Sequence, residues 1–82
     1  MKVTVWEKSS CPQCEMTKKQ FDKLGIRYEV QSLEENPLIL EGFKQQGLMS
    51  APIVTTDNKA WSGFRPDKIQ ALDYYLKSLG EK

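Results

Sequence analysis

The first half of the chain alternates between strand-like and helix-like patterns of hydrophobic positions. Residues 2–6 alternate polar and apolar side chains, which predicts a first strand. From Pro12 to Leu24 the apolar positions recur at helical spacing, and Gly25 is a suitable helix stop. Residues 26–31 alternate again and predict a second strand. The short connection from helix to strand is expected of a β-α-β crossover, whose two strands run parallel.

The second half begins with another helix and continues as a hairpin. An Asn-Pro start signal at 36–37 begins a second helix, which is expected to end at Gly47. β-Branched residues over 52–56 predict a third strand. A turn at 57–58 then joins it to a short fourth strand over 59–62.

Pro66 begins the last predicted helix, which should end before Gly80. Its buried stripe is expected at four positions of helical spacing, Ile69, Leu72, Leu76 and Leu79. The predicted order is therefore β-α-β-α-β-β-α over a single domain, residues 1–82. It gives a mixed four-stranded sheet with helices on both faces, the thioredoxin-like α/β fold. Open α/β sheets place their sites at the carboxyl ends of strands, so chemistry is expected just after the first strand.

Both cysteines of the chain lie there, three positions apart. Cys11 is expected to be the N-cap of the first helix and Cys14 its third residue, with Pro12 at the first position, where a missing N–H is tolerated. Two sulfurs so placed can close a small disulfide ring. The unpaired N–H groups and positive dipole end of the first turn favour a thiolate, so the pKa of the exposed cysteine should lie below ~8.5. The spacing is typical of a redox motif.

A cysteine pair at this spacing has other uses. A closed zinc site takes four Cys or His ligands, and the chain has two cysteines and no histidine, so only a site shared between two chains remains. A static disulfide gains little from so short a loop. Two buried, inert cysteines are the last alternative. Redox chemistry is favoured because a cytosolic cysteine pair is more often catalytic than structural.

Composition indicates an ordinary soluble globular domain. Of 82 residues, 39% are hydrophobic and 28% charged, which is enough for one small core. The 12 basic and 11 acidic residues nearly balance, so charge gives no reason to propose a nucleic-acid or membrane partner. No apolar run approaches the ~20 residues that span a bilayer, and the N-terminus lacks a signal-peptide pattern. We therefore expect a cytoplasmic protein.

Three motifs together resemble the NrdH-redoxins, small glutaredoxin-like proteins with thioredoxin-like behaviour. They are Cys11-Pro12-Gln13-Cys14, Ser50-Ala51-Pro52 before the third strand, and the WSGFRPD segment at 61–67. The resemblance covers nearly the whole chain. It implies a hydrogen donor to the large subunit of a class Ib ribonucleotide reductase, reduced by thioredoxin reductase with NADPH and not by glutathione. No bound cofactor is implied, and we expect a monomer.

The sequence departs from this family at two positions. Pro12 replaces the aliphatic residue expected in many members, and Trp6 stands where tyrosine is common. Neither change removes a group that the mechanism needs, although Pro12 could alter the reduction potential.

The expected mechanism assigns different roles to the two cysteines. Cys11 attacks a target disulfide to form a mixed disulfide, and Cys14 then attacks Cys11 and releases the reduced target. The reverse order is the alternative. Lys8, three residues before Cys11, either lowers the pKa of that thiol by Coulombic attraction or is only solvated. Because the chain has no histidine, proton transfer falls to Cys14, water or a carboxylate that the sequence does not identify.

The resemblance also implies a cis peptide bond between Ala51 and Pro52, although X-Pro bonds are cis in only ~5–6% of cases. A cis bond would present backbone groups of Ala51 to a target peptide for strand-like pairing.

The segment 61–67 stands where related glutaredoxins carry a Gly-Gly and acidic pair that binds glutathione. Here Phe64 and Arg65 are bulky and cationic, only Asp67 is acidic, and Gln13 replaces the aromatic residue usual between glutaredoxin cysteines. We therefore expect a degraded glutathione site. The residues interpreted as docking a partner protein or bracing a loop are Trp61, Ser62, Gly63, Phe64, Arg65 and Asp67. Core packing of the aromatics is the alternative, and Arg65 is expected to pair with Asp67 or a helix end.

Two rival functions remain open at this stage. A glutathione-dependent glutaredoxin would use the same chemistry with another electron source. An iron–sulfur carrier would hold a cluster between the Cys11 thiolates of two chains, with glutathione as co-ligand. The lack of a convincing glutathione pocket argues against both.

Overall fold

A computed structural model describes residues 1–81, and its elements follow the predicted order. They are β1 Thr4–Glu7, α1 Pro12–Leu24, β2 Glu29–Ser32, α2 Pro37–Gln45, β3 Ile53–Thr55, β4 Ala60–Ser62 and α3 Pro66–Ser78. Within this range, no helix has both the length and the apolar character that crossing a bilayer requires.

The four strands form one mixed sheet in the order β2-β1-β3-β4. β1 and β2 are parallel, because the α1 crossover carries the chain back to the end of the sheet at which β1 began. β1 pairs with β3 and β3 with β4 in antiparallel fashion, the latter through the predicted hairpin. The Thr56 N–H donates to the Lys59 carbonyl at 2.8 Å and closes that turn. The predicted thioredoxin-like arrangement is confirmed.

Most predicted strand boundaries differ from the observed ones by one to three residues, and the start of the second strand differs for a local reason. The second strand begins at Glu29 and not at residue 26, because the Ile26 N–H is bonded to the Phe21 carbonyl at 2.9 Å as part of the end of α1. Gly25 makes that end possible with a φ of 71°, in the left-handed region that favours glycine. The first strand likewise spans Thr4–Glu7 and not residues 2–6.

The core has two layers, one on each face of the sheet. α1 and α3 cover one face, where Phe21, Ile69, Leu72 and Leu76 pack against Val5 and Val54. α2 covers the other face, where Phe43 packs with Leu33 and Ile53. Adjacent residues of β3 thus supply opposite layers, as expected of a strand. Both faces carry helices, as predicted.

The predicted stripe of the last helix loses its final member. Leu79 is 48% exposed, whereas Ile69, Leu72 and Leu76 are buried. α3 ends at Ser78, so Leu79 is its C-cap and the chain turns away at Gly80 with a φ of 73°. The fourth position of the pattern therefore lies beyond the last helical turn.

Candidate active site

Cys11 and Cys14 form a disulfide at the amino end of α1. Cys11 is the N-cap, with extended backbone angles of −119° and 98°, and Pro12 is the first helical residue, as predicted. The Cys14 N–H donates to the Cys11 sulfur at 3.1 Å. This N–H is one of the unpaired donors of the first turn, so a thiolate at Cys11 would be stabilised by a group that already points at it.

The two sulfurs differ in accessibility. Cys14 is fully buried, while Cys11 is 9% exposed. The sequence predicted that Cys11 is the exposed member of the pair, and the structure corrects the extent of this, since Cys11 is the less buried of the two but is itself mostly buried. Solvent therefore reaches one side chain of the pair to a small extent and the other not at all.

Glu34 holds the loop that precedes Cys11 by hydrogen bonds to Ser9. Ser10 has a φ of 53°, a left-handed conformation that costs a non-glycine residue roughly 1–2 kcal/mol. The Glu34 carboxylate accepts two hydrogen bonds from Ser9, at 3.2 Å from the N–H and 2.8 Å from the hydroxyl. Sequence reasoning missed Glu34, because it lies 25 residues away from Ser9 and has no periodic signature.

Lys8 and Ala51 line one small cavity beside this loop, with a volume of about 220 Å³. Met49 and Leu40 complete its apolar side. The predicted cis bond between Ala51 and Pro52 is present. Lys8 is exposed and forms no ion pair with any residue in the range 1–81. The structure thus brings together Lys8 and Ala51, which the sequence analysis had treated separately.

Gln13 links the cysteine turn to the segment before α3. Its side-chain oxygen accepts the Phe64 N–H at 2.9 Å. Gly63, next to Phe64, has a φ of 81°, in the left-handed region that favours glycine. The Gly63 N–H donates to the Pro52 carbonyl at 2.8 Å. These contacts are of the kind that the loop-bracing interpretation predicted.

The rest of this segment divides between core and surface. Trp61 is 4% exposed and belongs to the α1/α3 core layer, which agrees with the core-packing alternative for this aromatic residue. Ser62 is half-buried at the end of β4, and Phe64 is half-buried against the same core.

The expected pairing of Arg65 with Asp67 is present on the surface. Arg65 donates to both carboxylate oxygens of Asp67, at 3.2 and 3.0 Å. Hydrogen bonding from Arg65 holds the pKa of Asp67 below its usual value. The pair fixes the acid immediately after Pro66, in the first turn of α3.

Over residues 1–81, no three or more Cys, Asp or Glu side chains are grouped as ligands.

Comparison with known proteins gives a consistent result. The glutaredoxin family profile matches residues 3–61. The glutaredoxin-like protein NrdH of Escherichia coli K12 is 33% identical over 72 residues, 88% of this chain and 89% of that protein. NrdH of Lactococcus lactis IL1403 is 37% identical over 70 residues, 85% and 97% of the two chains. The solved structure of Escherichia coli NrdH-redoxin, described as having a thioredoxin-like activity profile, superposes with a TM-score of 0.82 at 33% identity and covers 88% and 95% of the two chains.

Proposed function

Since the chain belongs to the glutaredoxin family, as an NrdH-like thiol–disulfide oxidoreductase, we propose that it donates electrons to the large subunit of a class Ib ribonucleotide reductase. Thioredoxin reductase, using NADPH, returns it to the dithiol form. The observation that carries this proposal is the Cys11–Cys14 disulfide at a helix start, in which Cys11 keeps 9% of its surface exposed and Cys14 none. The protein acts as a cytoplasmic monomer without a bound cofactor.

The reaction proceeds in two exchange steps. The Cys11 thiolate attacks one sulfur of the target disulfide, so that bond breaks, a mixed disulfide forms and one target thiolate leaves. Cys14 then loses its proton and attacks the Cys11 sulfur, which releases the second target thiolate and restores the Cys11–Cys14 bond. Two electrons pass to the target. The complete burial of Cys14 supports this order, because a bulky target reaches Cys11 first.

The neighbourhood of the cysteines supports thioredoxin reductase over glutathione as the electron source. The resemblance places a glutathione site at the start of α3 in related glutaredoxins. Here the Phe64 N–H is already bonded to Gln13, and the Asp67 carboxylate is occupied by Arg65. The polar groups that would bind glutathione therefore already have partners within the chain.

A protein target has a different route to the sulfur. Ala51 lies in a loop outside the regular strands, beside the small cavity that it shares with Lys8 and Met49. Met49, which lines this cavity, is 72% exposed. We place an extended target segment along Ala51, with its backbone paired there and an apolar side chain against this surface.

Coupled assays test the proposal directly. Reduction of a class Ib reductase by this protein is followed through NADPH consumption, once with thioredoxin reductase and once with glutathione and glutathione reductase. Turnover is expected with the first system and not with the second. Turnover with glutathione alone would overturn the assignment of the electron source.

Two single variants separate the roles of the cysteines. Cys14→Ser is expected to accumulate a covalent target adduct through Cys11, while Cys11→Ser forms none. An adduct formed equally well by Cys11→Ser would reverse the assigned roles.

A further inference from the structure

A second cavity lies between α3 and the β3–β4 hairpin. Its volume is about 360 Å³, within the range of pockets that hold small molecules. The buried side chains of Trp61 and Leu72 form its base, and Tyr74 and Tyr75, both exposed, rise from α3 beside it. None of its lining residues borders the cavity beside Ala51, so it is a separate site.

The charge of this second cavity has one sign. Lys59 of the hairpin and Lys68 of α3 line it, and no acidic side chain does. Across the described residues neither lysine takes part in an ion pair, and both are exposed. The amino group of Met1, which also lines the cavity, is already paired with Glu81. Two ammonium groups are therefore available to an anion.

The base of the cavity carries an unsatisfied donor. The Trp61 indole N–H is buried and has no hydrogen-bond partner among residues 1–81. The other tryptophan of the chain shows the ordinary situation, since the Trp6 indole N–H donates to the Thr55 hydroxyl at 3.0 Å. Buried donors without a partner are uncommon in proteins. The nitrogen itself has almost no accessible surface, so a molecule in the cavity would contact the indole ring and not this N–H.

We propose that this cavity binds a small planar aromatic carboxylate. Its ring packs on Leu72 and against the Tyr75 and Trp61 rings, where offset or edge contacts are favourable. Its carboxylate lies toward Lys59 and Lys68, whose aliphatic stems also cover the ring. A neutral ring would leave both ammonium groups unpaired, and an aliphatic acid would not use the aromatic walls. The proposal does not depend on the redox partners proposed above.

The probe for this site is 2-naphthoate, titrated into uniformly ¹⁵N-labelled protein. Each tryptophan gives one indole N–H cross-peak in the two-dimensional NMR spectrum. Saturable movement of the Trp61 cross-peak is expected, while that of Trp6, already bonded to Thr55, stays in place. The neutral analogue 2-naphthalenemethanol is expected to bind about threefold to tenfold more weakly, because two exposed charge contacts are lost.

A matched pair of variants tests the cationic part of the site. Lys59→Met with Lys68→Met is expected to weaken 2-naphthoate binding about threefold to tenfold and to leave the neutral analogue unaffected. Lys19→Met with Lys23→Met removes the same charge from α1, outside the cavity, and should leave both affinities unchanged.

Several results would overturn the assignment. They are a fixed Trp61 cross-peak at millimolar 2-naphthoate, parallel movement of both indole cross-peaks, equal binding of the neutral analogue, or equal weakening by the control variant on α1. An unchanged backbone spectrum for each variant shows that the comparison is made on folded protein.

Discussion

Removing the side chain that joins the cysteine turn to the segment before α3 should both lower stability and loosen that segment. Gln13→Ala deletes the acceptor that lies 2.9 Å from the Phe64 nitrogen. The variant keeps both cysteines, Pro12 and the helix start, so the effect reports on the link itself.

The expected loss follows from the exposed position of this hydrogen bond. One such bond contributes a net 0.5–1.5 kcal/mol, and water can partly replace it here, so we expect the free energy of unfolding to fall by about 1 kcal/mol. For a domain of this size that corresponds to a fall of about 4–8 °C in the melting temperature. The Phe64 amide should exchange about fivefold faster, by the same free energy.

Thermal unfolding and amide exchange of the oxidised protein measure the two effects. Gln13→Glu keeps an acceptor oxygen at the same reach and should preserve the slow exchange of the Phe64 amide. Gln70→Ala makes the same substitution on the exposed surface of α3 and should change stability by less than about 0.5 kcal/mol. Unchanged Phe64 exchange in Gln13→Ala would refute the bracing role.

Three further predictions test other parts of the structure. Glu34→Ala should cost about 1 kcal/mol because the loop before Cys11 loses two hydrogen bonds, whereas Glu35→Ala, next to it, should cost less than about 0.5 kcal/mol in the same denaturant titration; equal costs contradict the role of Glu34. Leu76→Ala should cost about 2–5 kcal/mol and Leu79→Ala less than about 1 kcal/mol, since one side chain is 6% and the other 48% exposed; similar values would show that both are core residues. A hydrogen bond with Glu81 raises the pKa of the terminal amine above 8.0, so the folded protein holds this proton more tightly than the unfolded chain does. The pair therefore stabilises the folded state below pH 8, and this stabilisation is lost as the pH rises through the raised pKa. Glu81→Gln should remove that part of the pH dependence of the melting temperature, and an unaltered profile between pH 7 and 10 would exclude the pair as its source.

The parts of the molecule that sequence reasoning predicted well are those encoded by neighbouring residues. Pro12 and Gly25 fix the two ends of α1 through local backbone preferences, and the start signal at 36–37 marks the start of α2. The late start of β2 was not predicted, because Ile26 fits the alternation of apolar and polar residues but its N–H is bonded to the end of the preceding helix. Alternation alone cannot distinguish a residue in a strand from one held at the end of a helix.

The site was predicted less completely than the fold. The cysteine pair and the cis bond were identified from motifs. The Gln13 link to Phe64 and the Glu34 link to Ser9 join residues that are 51 and 25 positions apart. Exposed polar side chains follow no hydrophobic period, so only the folded chain shows which of them meet. For Trp61 the motif left two interpretations open, partner contact and core packing, and only the folded chain shows that its side chain is in the core.

The unequal accessibility of the two sulfurs has a kinetic consequence. Under the proposed function, thioredoxin reductase and the client both exchange with the Cys11 sulfur, because Cys14 is fully buried, and one sulfur cannot bond to both at once. The protein must therefore leave one before it serves the other, and a double-reciprocal plot at several client concentrations should give parallel lines. Excess client would then slow its own reduction by occupying the only point of entry for electrons.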